Sequence, residues 1–207
     1  MDRKGILLVI SGFSGAGKGT VVRRLLEKYD NYVVSVSATT RAPRPGEAEG
    51  VDYFFRTKEE FERKIAEGGF IEHACYVGHY YGTPKAYVEQ KLGEGFDVIL
   101  EIEIQGALQV KERFPDTCLI FISPPDTDTL KRRLVSRGTE DPGVVDERLS
   151  RAVSEAEGIG DYDYFVINDE LDACVEEIDA IVRGEHCRTA RNRQLIEKIT
   201  DEMKIFA

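Results

Sequence analysis

Five nearly continuous apolar runs punctuate the chain, at residues 5–10, 32–36, 97–102, 118–122 and 164–167. Short runs of this kind, without polar alternation, read as strands covered on both faces, the habit of parallel sheets. Between them lie stretches with helical spacing of apolar positions: 18–28, 84–92, 105–113, the pair 126–136 and 142–157, then 171–183 and 188–203. Strand and helix in turn predict a doubly wound α/β sheet with right-handed crossovers. In the last helix Leu195, Ile196, Ile199 and Met203 recur at helical spacing, so it is expected to pack on the core.

Residues 37–83 break the alternation. They hold the turn-rich Arg41-Ala42-Pro43-Arg44-Pro45-Gly46, aromatic strand candidates at 52–55 and 70–77, and one helix between those strands. Thr57-Lys58-Glu59-Glu60 opens that helix as a capping box, with Thr57 as N-cap and the Glu60 side chain reaching back. The segment is expected to be an insertion forming a small mixed subdomain. Pro124-Pro125 is a local breaker that starts a hinge-like segment.

The first strand runs into Gly12-Phe13-Ser14-Gly15-Ala16-Gly17-Lys18, and a helical pattern follows. Glycines admit positive φ, so successive N–H groups can turn inward on one anion. The helix behind them adds its positive N-terminal end. In the spacing G-x-x-x-x-G-K the lysine reaches the β- and γ-phosphates of a nucleoside triphosphate. Gly12, Ser14, Gly15, Ala16, Gly17, Lys18, Gly19 and Thr20 are therefore the expected ATP contacts. The general pattern places Ser or Thr after the lysine as a Mg²⁺ ligand, whereas here Gly19 stands there and the hydroxyl comes at Thr20. Gly17-Lys18-Gly19-Thr20 resembles the version in adenylate-kinase-type nucleotide kinases, which implies a metal held largely by phosphates and water, as Mg²⁺ tolerates well.

Composition narrows the partners. With 28 Lys and Arg against 38 Asp and Glu the net charge is −10, which argues against a nucleic-acid polymer, whose binding draws on counterion release by basic side chains. Arginines nevertheless cluster locally, at Arg41 and Arg44 and again at Arg132, Arg133, Arg137, Arg148 and Arg151. The four cysteines form no C-x-x-C pair and only three histidines are present, so neither a disulfide framework nor a zinc site is expected. Cys118, inside an apolar run, is expected to be buried. No run approaches the roughly 20 apolar residues of a membrane span, and residues 1–4 lead into a strand rather than a signal peptide. A cytoplasmic chain without a membrane partner is the expectation.

Further motifs follow the loop in order: Ser35-Val36-Ser37-Ala38-Thr39-Thr40-Arg41-Ala42-Pro43-Arg44, Gly50-Val51-Asp52-Tyr53, Phe70-Ile71-Glu72, Tyr80-Tyr81-Gly82-Thr83, Arg137-Gly138-Thr139 and Val166-Ile167-Asn168-Asp169. In this order and spacing the chain resembles guanylate kinase over essentially its whole length. The resemblance implies an α/β fold of the P-loop type, a parallel sheet flanked by helices (1–34, 84–125 and 159–207). It also implies an inserted mixed α+β GMP-binding subdomain (35–83) and a helical lid (126–158). The activity implied is transfer of the γ-phosphoryl group of ATP, as Mg-ATP, to GMP.

Residue by residue, the resemblance implies that Ser37, Glu72 and Thr83 read the guanine. A carboxylate can accept from the ring N–H and the exocyclic amine together, while adenine presents a lone pair where guanine has that N–H. Buried groups left unpaired in this way give discrimination of order 10⁴. Arg41, Arg44, Tyr53 and Tyr81 are implied around the GMP phosphate, where arginine forks and phenols match phosphate oxygens, and Pro43 and Pro45 stiffen the turn that presents them. Lys18, Arg41 and the lid residues Arg137 and Arg148 would stabilise the charge that develops in transfer, with Asn168 beside the adenine. Glu101-Ile102-Glu103 stands where the family commonly has Asp at both acidic positions. Alternation would put both carboxylates on one strand face, Glu101 serving Mg²⁺ through water and Glu103 contacting GMP.

Taken singly, Tyr53 and Tyr81 also suit ordinary strand positions, and Glu72 a solvated one. Two other functions stay open: a guanylate-kinase-like scaffold domain without catalysis, and a P-loop kinase of a sugar phosphate. The intact Lys18 loop speaks against the first and the set Ser37, Glu72 and Thr83 against the second.

Overall fold

The computed structural model describes residues 4–76, 78–136, 150, 152–153 and 155–206. Five strands, β1 (Leu7–Gly12), β2 (Tyr32–Val34), β7 (Asp97–Glu101), β8 (Cys118–Ser123) and β9 (Tyr164–Ile167), form an all-parallel sheet in the order β2-β7-β1-β8-β9. Because side chains alternate along a strand, the central strands feed two cores. Leu8, Ile10, Ile99 and Ile120 pack on one face with Val21 and Leu25 of α1 (Lys18–Lys28) and Val175 and Ile178 of α6 (Leu171–His186). Leu7, Val9, Val98, Leu100 and Leu119 pack on the other with Val88 of α3 (Lys85–Gly93) and Val110 of α4 (Ile104–Arg113).

Strand β1 extends two residues beyond the expected end. It reaches Gly12, which pairs with Ile122 so closely that a Cβ would collide with the Ile122 carbonyl. The opposite ends of the strands are tied by one buried carboxylate. Asp97 accepts from the Ile6 N–H at 2.8 Å and from Asn31 Nδ2 at 2.9 Å, and His186 Nε2 lies 2.8 Å from its Oδ1. That tie explains why α6 outlasts its expected end at residue 183 and runs to His186.

The second sheet holds β3 (Ala38–Thr39), β4 (Phe54–Phe55), β5 (Phe70–Tyr76) and β6 (His79–Pro84) in the order β4-β3-β6-β5. Its small core centres on Phe61 of α2 (Lys58–Ala66), stacked against Phe70 and Tyr80. The capping box at Thr57 and Glu60 forms as expected. Strands β3 and β6 were not legible, one being two residues long and the other interrupted by Gly82 and ended by Pro84. Gly82 is required by close approach, since a Cβ there would stand 2.9 Å from the Glu72 carbonyl oxygen.

Cys118 and Cys174 are buried and Cys75 and Cys187 exposed, all as free thiols. Among the described residues no cluster of three metal-ligating side chains occurs, and no helix is long and apolar enough to cross a membrane. Helix α5 (Thr127–Ser136) follows the proline pair. The expected helix 142–157 lies largely outside the described residues, as do Arg137 and Arg148.

The last helix, α7 (Arg193–Met203), corrects two expectations. It begins five residues late because Thr189–Arg191 form a single 3₁₀ turn and Asn192 Nδ2 bonds the His186 and Arg188 carbonyls. It also buries no residue: Ile196, Ile199 and Met203 are exposed, so its apolar stripe does not pack on the core.

Asp97→Ala strips a buried acceptor from Ile6 and Asn31 and should cost about 3–5 kcal/mol, the penalty for breaking a buried pair. Urea unfolding measures this, and a loss below about 1 kcal/mol would show that the tie is dispensable.

Candidate active site

In an open parallel sheet, ligands lie beyond the carboxyl ends of the strands where the order reverses. Here that point is β1, between β7 and β8, and the glycine-rich loop leaves β1 there. Gly15 and Gly17 take φ of 92° and 90°, in the left-handed region. Side chains are excluded at both: a Cβ on Gly15 would stand 2.9 Å from Leu134 Cδ2, and one on Gly17 2.6 Å from Asn168 Nδ2. Asn168 is buried and donates to the Ala16 carbonyl at 2.8 Å, bracing the loop from the end of β9. Helix α1 starts at Lys18 with no side-chain cap and no acidic residue of its own in the first turn, so its own sequence leaves its positive end uncompensated. Lys18 curls over the loop, with Nζ donating to the Gly12 carbonyl at 2.6 Å and the Phe13 carbonyl at 3.3 Å.

Glu101 closes the loop from the side as the last residue of β7. Its two carboxylate oxygens lie 3.8 and 3.9 Å from where a Cβ on Gly19 would stand. Desolvation by these surroundings pushes its carboxyl pKa up, and the Lys18 ammonium pulls it down. Glu103 departs from the expectation that it would share a strand face with Glu101. The chain leaves the sheet after Glu101, and Glu103 becomes the exposed N-cap residue of α4. Ser11 fixes that exit by donating to the Ile102 carbonyl at 2.7 Å.

The second sheet assembles a cationic aromatic nest. The Arg41 guanidinium lies 5.3 Å from the Tyr53 ring centroid, and the Tyr53 and Tyr81 rings are 6.1 Å apart, edge to face. Glu47 organises the turn in a way that sequence reasoning missed. One carboxylate oxygen accepts from Arg41 Nη2 and the other from the Arg44 N–H, each at 2.8 Å. Hydrogen bonding to Glu47 raises the Arg41 pKa, and the same contact holds the Glu47 carboxyl below the usual range. The available signal was a carboxylate three residues beyond Arg44 in a Pro-Gly turn. Arg44 itself is exposed.

The guanine-reading candidates fall beside this nest. A register shift in the β5–β6 pair between Phe70 and His73 brings Glu72 and Thr83 together. Buried Thr83 donates to Glu72 Oε1 at 2.7 Å. Glu72 Oε2 lies 3.9 Å from where a Cβ on Gly106, in the first turn of α4, would stand. Burial pushes the Glu72 carboxyl pKa up, while the Thr83 hydroxyl opposes the shift. Ser37 is half-buried, with its carbonyl accepting the Phe54 N–H.

The family model described as guanylate kinase matches residues 4–185. The guanylate kinase of Clostridium perfringens is 52% identical over 203 residues, covering 98% of this chain and 94% of that protein. That of Lactococcus lactis is 48% identical over 205 residues, covering 99% of this chain and all of the other. Among solved structures, the crystal structure of guanylate kinase from Anaplasma phagocytophilum superposes with a TM-score of 0.71 at 36% identity, covering 95% of both chains.

Burial of Glu72 has a pH signature. Its folded-state pKa is raised, so the ionised form costs stability; the cost is absent below the ordinary carboxylate pKa and complete above the raised one. Glu72→Gln should therefore raise the melting temperature at neutral pH and leave it nearly unchanged under acid conditions. Melting curves across pH check this, and no gain at neutral pH would contradict it.

Proposed function

The chain belongs to the guanylate kinase family, which phosphorylates GMP with ATP, and on that footing we propose how its own residues divide this work. The loop from Gly12 to Thr20 holds the ATP phosphates, with the Lys18 ammonium exchanging its carbonyl partners for β- and γ-phosphate oxygens. Asn168 positions that loop and borders the adenine. The four-stranded unit within 35–83 holds GMP. Arg41, Arg44, Tyr53 and Tyr81 take its phosphate, Ser37, Glu72 and Thr83 read its base, and Glu103 makes a further contact to GMP. Residues 126–158 form the lid, from which Arg137 and Arg148 would meet the transferring phosphoryl. The remaining 1–34, 84–125 and 159–207 form the core, and the cytoplasm is the assigned compartment.

The observation that carries this reading is the Glu72–Thr83 pair. A half-buried carboxylate with its pKa pushed up is costly to keep, and a guanine offers it two donors at once. Phosphoryl transfer needs little covalent help, so positioning and charge stabilisation suffice. The donor set also suits Mg²⁺: Glu101 presents hard carboxylate oxygens beside the loop. Glu101 would help hold the ion there, and Mg²⁺ bound with ATP would supply neutralisation of the phosphate charge.

An acceptor screen with Mg-ATP and each nucleoside monophosphate, plus sugar phosphates, tests the reading. ADP should form with GMP, and Lys18→Ala should lower turnover by about 10²–10³ or more, as for removal of a preorganised charge stabiliser. A preferred sugar phosphate, or turnover equal to that of Lys18→Ala, would overturn it. Glu72→Gln should erode the preference for GMP over AMP, and unchanged selectivity would remove Glu72 from base recognition.

A further inference from the structure

Two departures from the general phosphate-loop and family patterns, far apart in sequence, meet in space. One is Gly19, which follows the loop lysine where a hydroxyl commonly ligates the metal; the other is Glu101, one methylene longer than aspartate. We propose that they form a matched pair, in which the Glu101 carboxylate replaces the absent hydroxyl as the protein's direct ligand for the Mg²⁺ of Mg-ATP. The proposal rests on the donor-site reading above and replaces a water-mediated role for Glu101 with direct ligation.

The geometry favours substitution of one ligand by the other. A Cβ on Gly19 would stand 3.8 and 3.9 Å from the two Glu101 oxygens, so the carboxylate lies in van der Waals reach of a serine side chain at this position and borders the same side of the loop. Aspartate at 101 would draw those oxygens back by about one C–C bond, ~1.5 Å, away from the loop. Thr20 is no equivalent, because one residue along a helix turns the side chain by about 100°, and Thr20 is exposed on α1. A carboxylate oxygen is a hard donor of the type Mg²⁺ takes one or two of alongside phosphates.

Mn²⁺ as the probe ion, titrated by electron paramagnetic resonance into the full chain with ADP, tests the pair. Glu101→Asp should weaken Mn²⁺ binding to the ADP complex on the order of tenfold, with ADP binding in EDTA unchanged. Adding Gly19→Ser to Glu101→Asp should recover most of the loss, whereas Gly19→Ser alone should add little, a strongly non-additive cycle. In ¹⁷O-labelled water the bound Mn²⁺ should carry one fewer water in the natural chain than in Glu101→Gln. Wild-type Mn²⁺ affinity in Glu101→Asp, additive effects in the cycle, or equal water counts would each overturn the pair. Failure of the natural chain to bind ADP even in EDTA would instead overturn the donor-site reading itself.

Discussion

Main-chain N–H groups can hold a phosphate only if the backbone itself comes within hydrogen-bond reach, with no side chain at the turning points. Most of the architecture around β1 answers to that constraint. Gly12 lets β1 lie tight against β8, while Gly15 and Gly17 turn the loop where Leu134 and Asn168 leave no room for a Cβ. Asn168 in turn ties the loop to the edge of the sheet through Ala16. The loop is therefore clamped from both neighbours before any ligand arrives, which is the condition for electrostatic preorganisation.

The acceptor side is built on the opposite compromise. A fully relaxed protein would leave Glu72 in water, yet the β5–β6 register buries it against Thr83 and the start of α4. Stability is given up at the place where we propose that the base is read, a recurrent trade in active sites. The capped helix α2 and the stacked Phe61, Phe70 and Tyr80 hold the small sheet firm enough to sustain it.

How much of this was legible follows from the physics of each element. The five core strands are buried on both faces, so their hydrophobicity alone marks them, and the loop glycines advertise their conformational demand. Strands β3 and β6 carry no such mark, because a two-residue pairing and a strand broken by Gly82 depend on partners distant in sequence. Glu103 was misplaced on a strand because periodicity cannot register where β7 gives way to α4. The exposed stripe of α7 misled for a related reason: amphipathic spacing says that a face is apolar, not that anything covers it. Glu47 escaped notice because its role exists only once the turn has folded back on Arg41. The matches to guanylate kinases, spanning nearly the full chain, bear on the family and the fold, while the residue roles still rest on geometry and chemistry.

The Arg41–Glu47 contact carries one more implication. At rest the Arg41 guanidinium already has a counterion within the same turn, while Arg44 stays exposed beside it. In a chain of net charge −10 that pairing offsets one of the turn's two positive charges and so weakens its pull on RNA or other polyanions. Fit at close range thereby gains weight over long-range attraction at this turn.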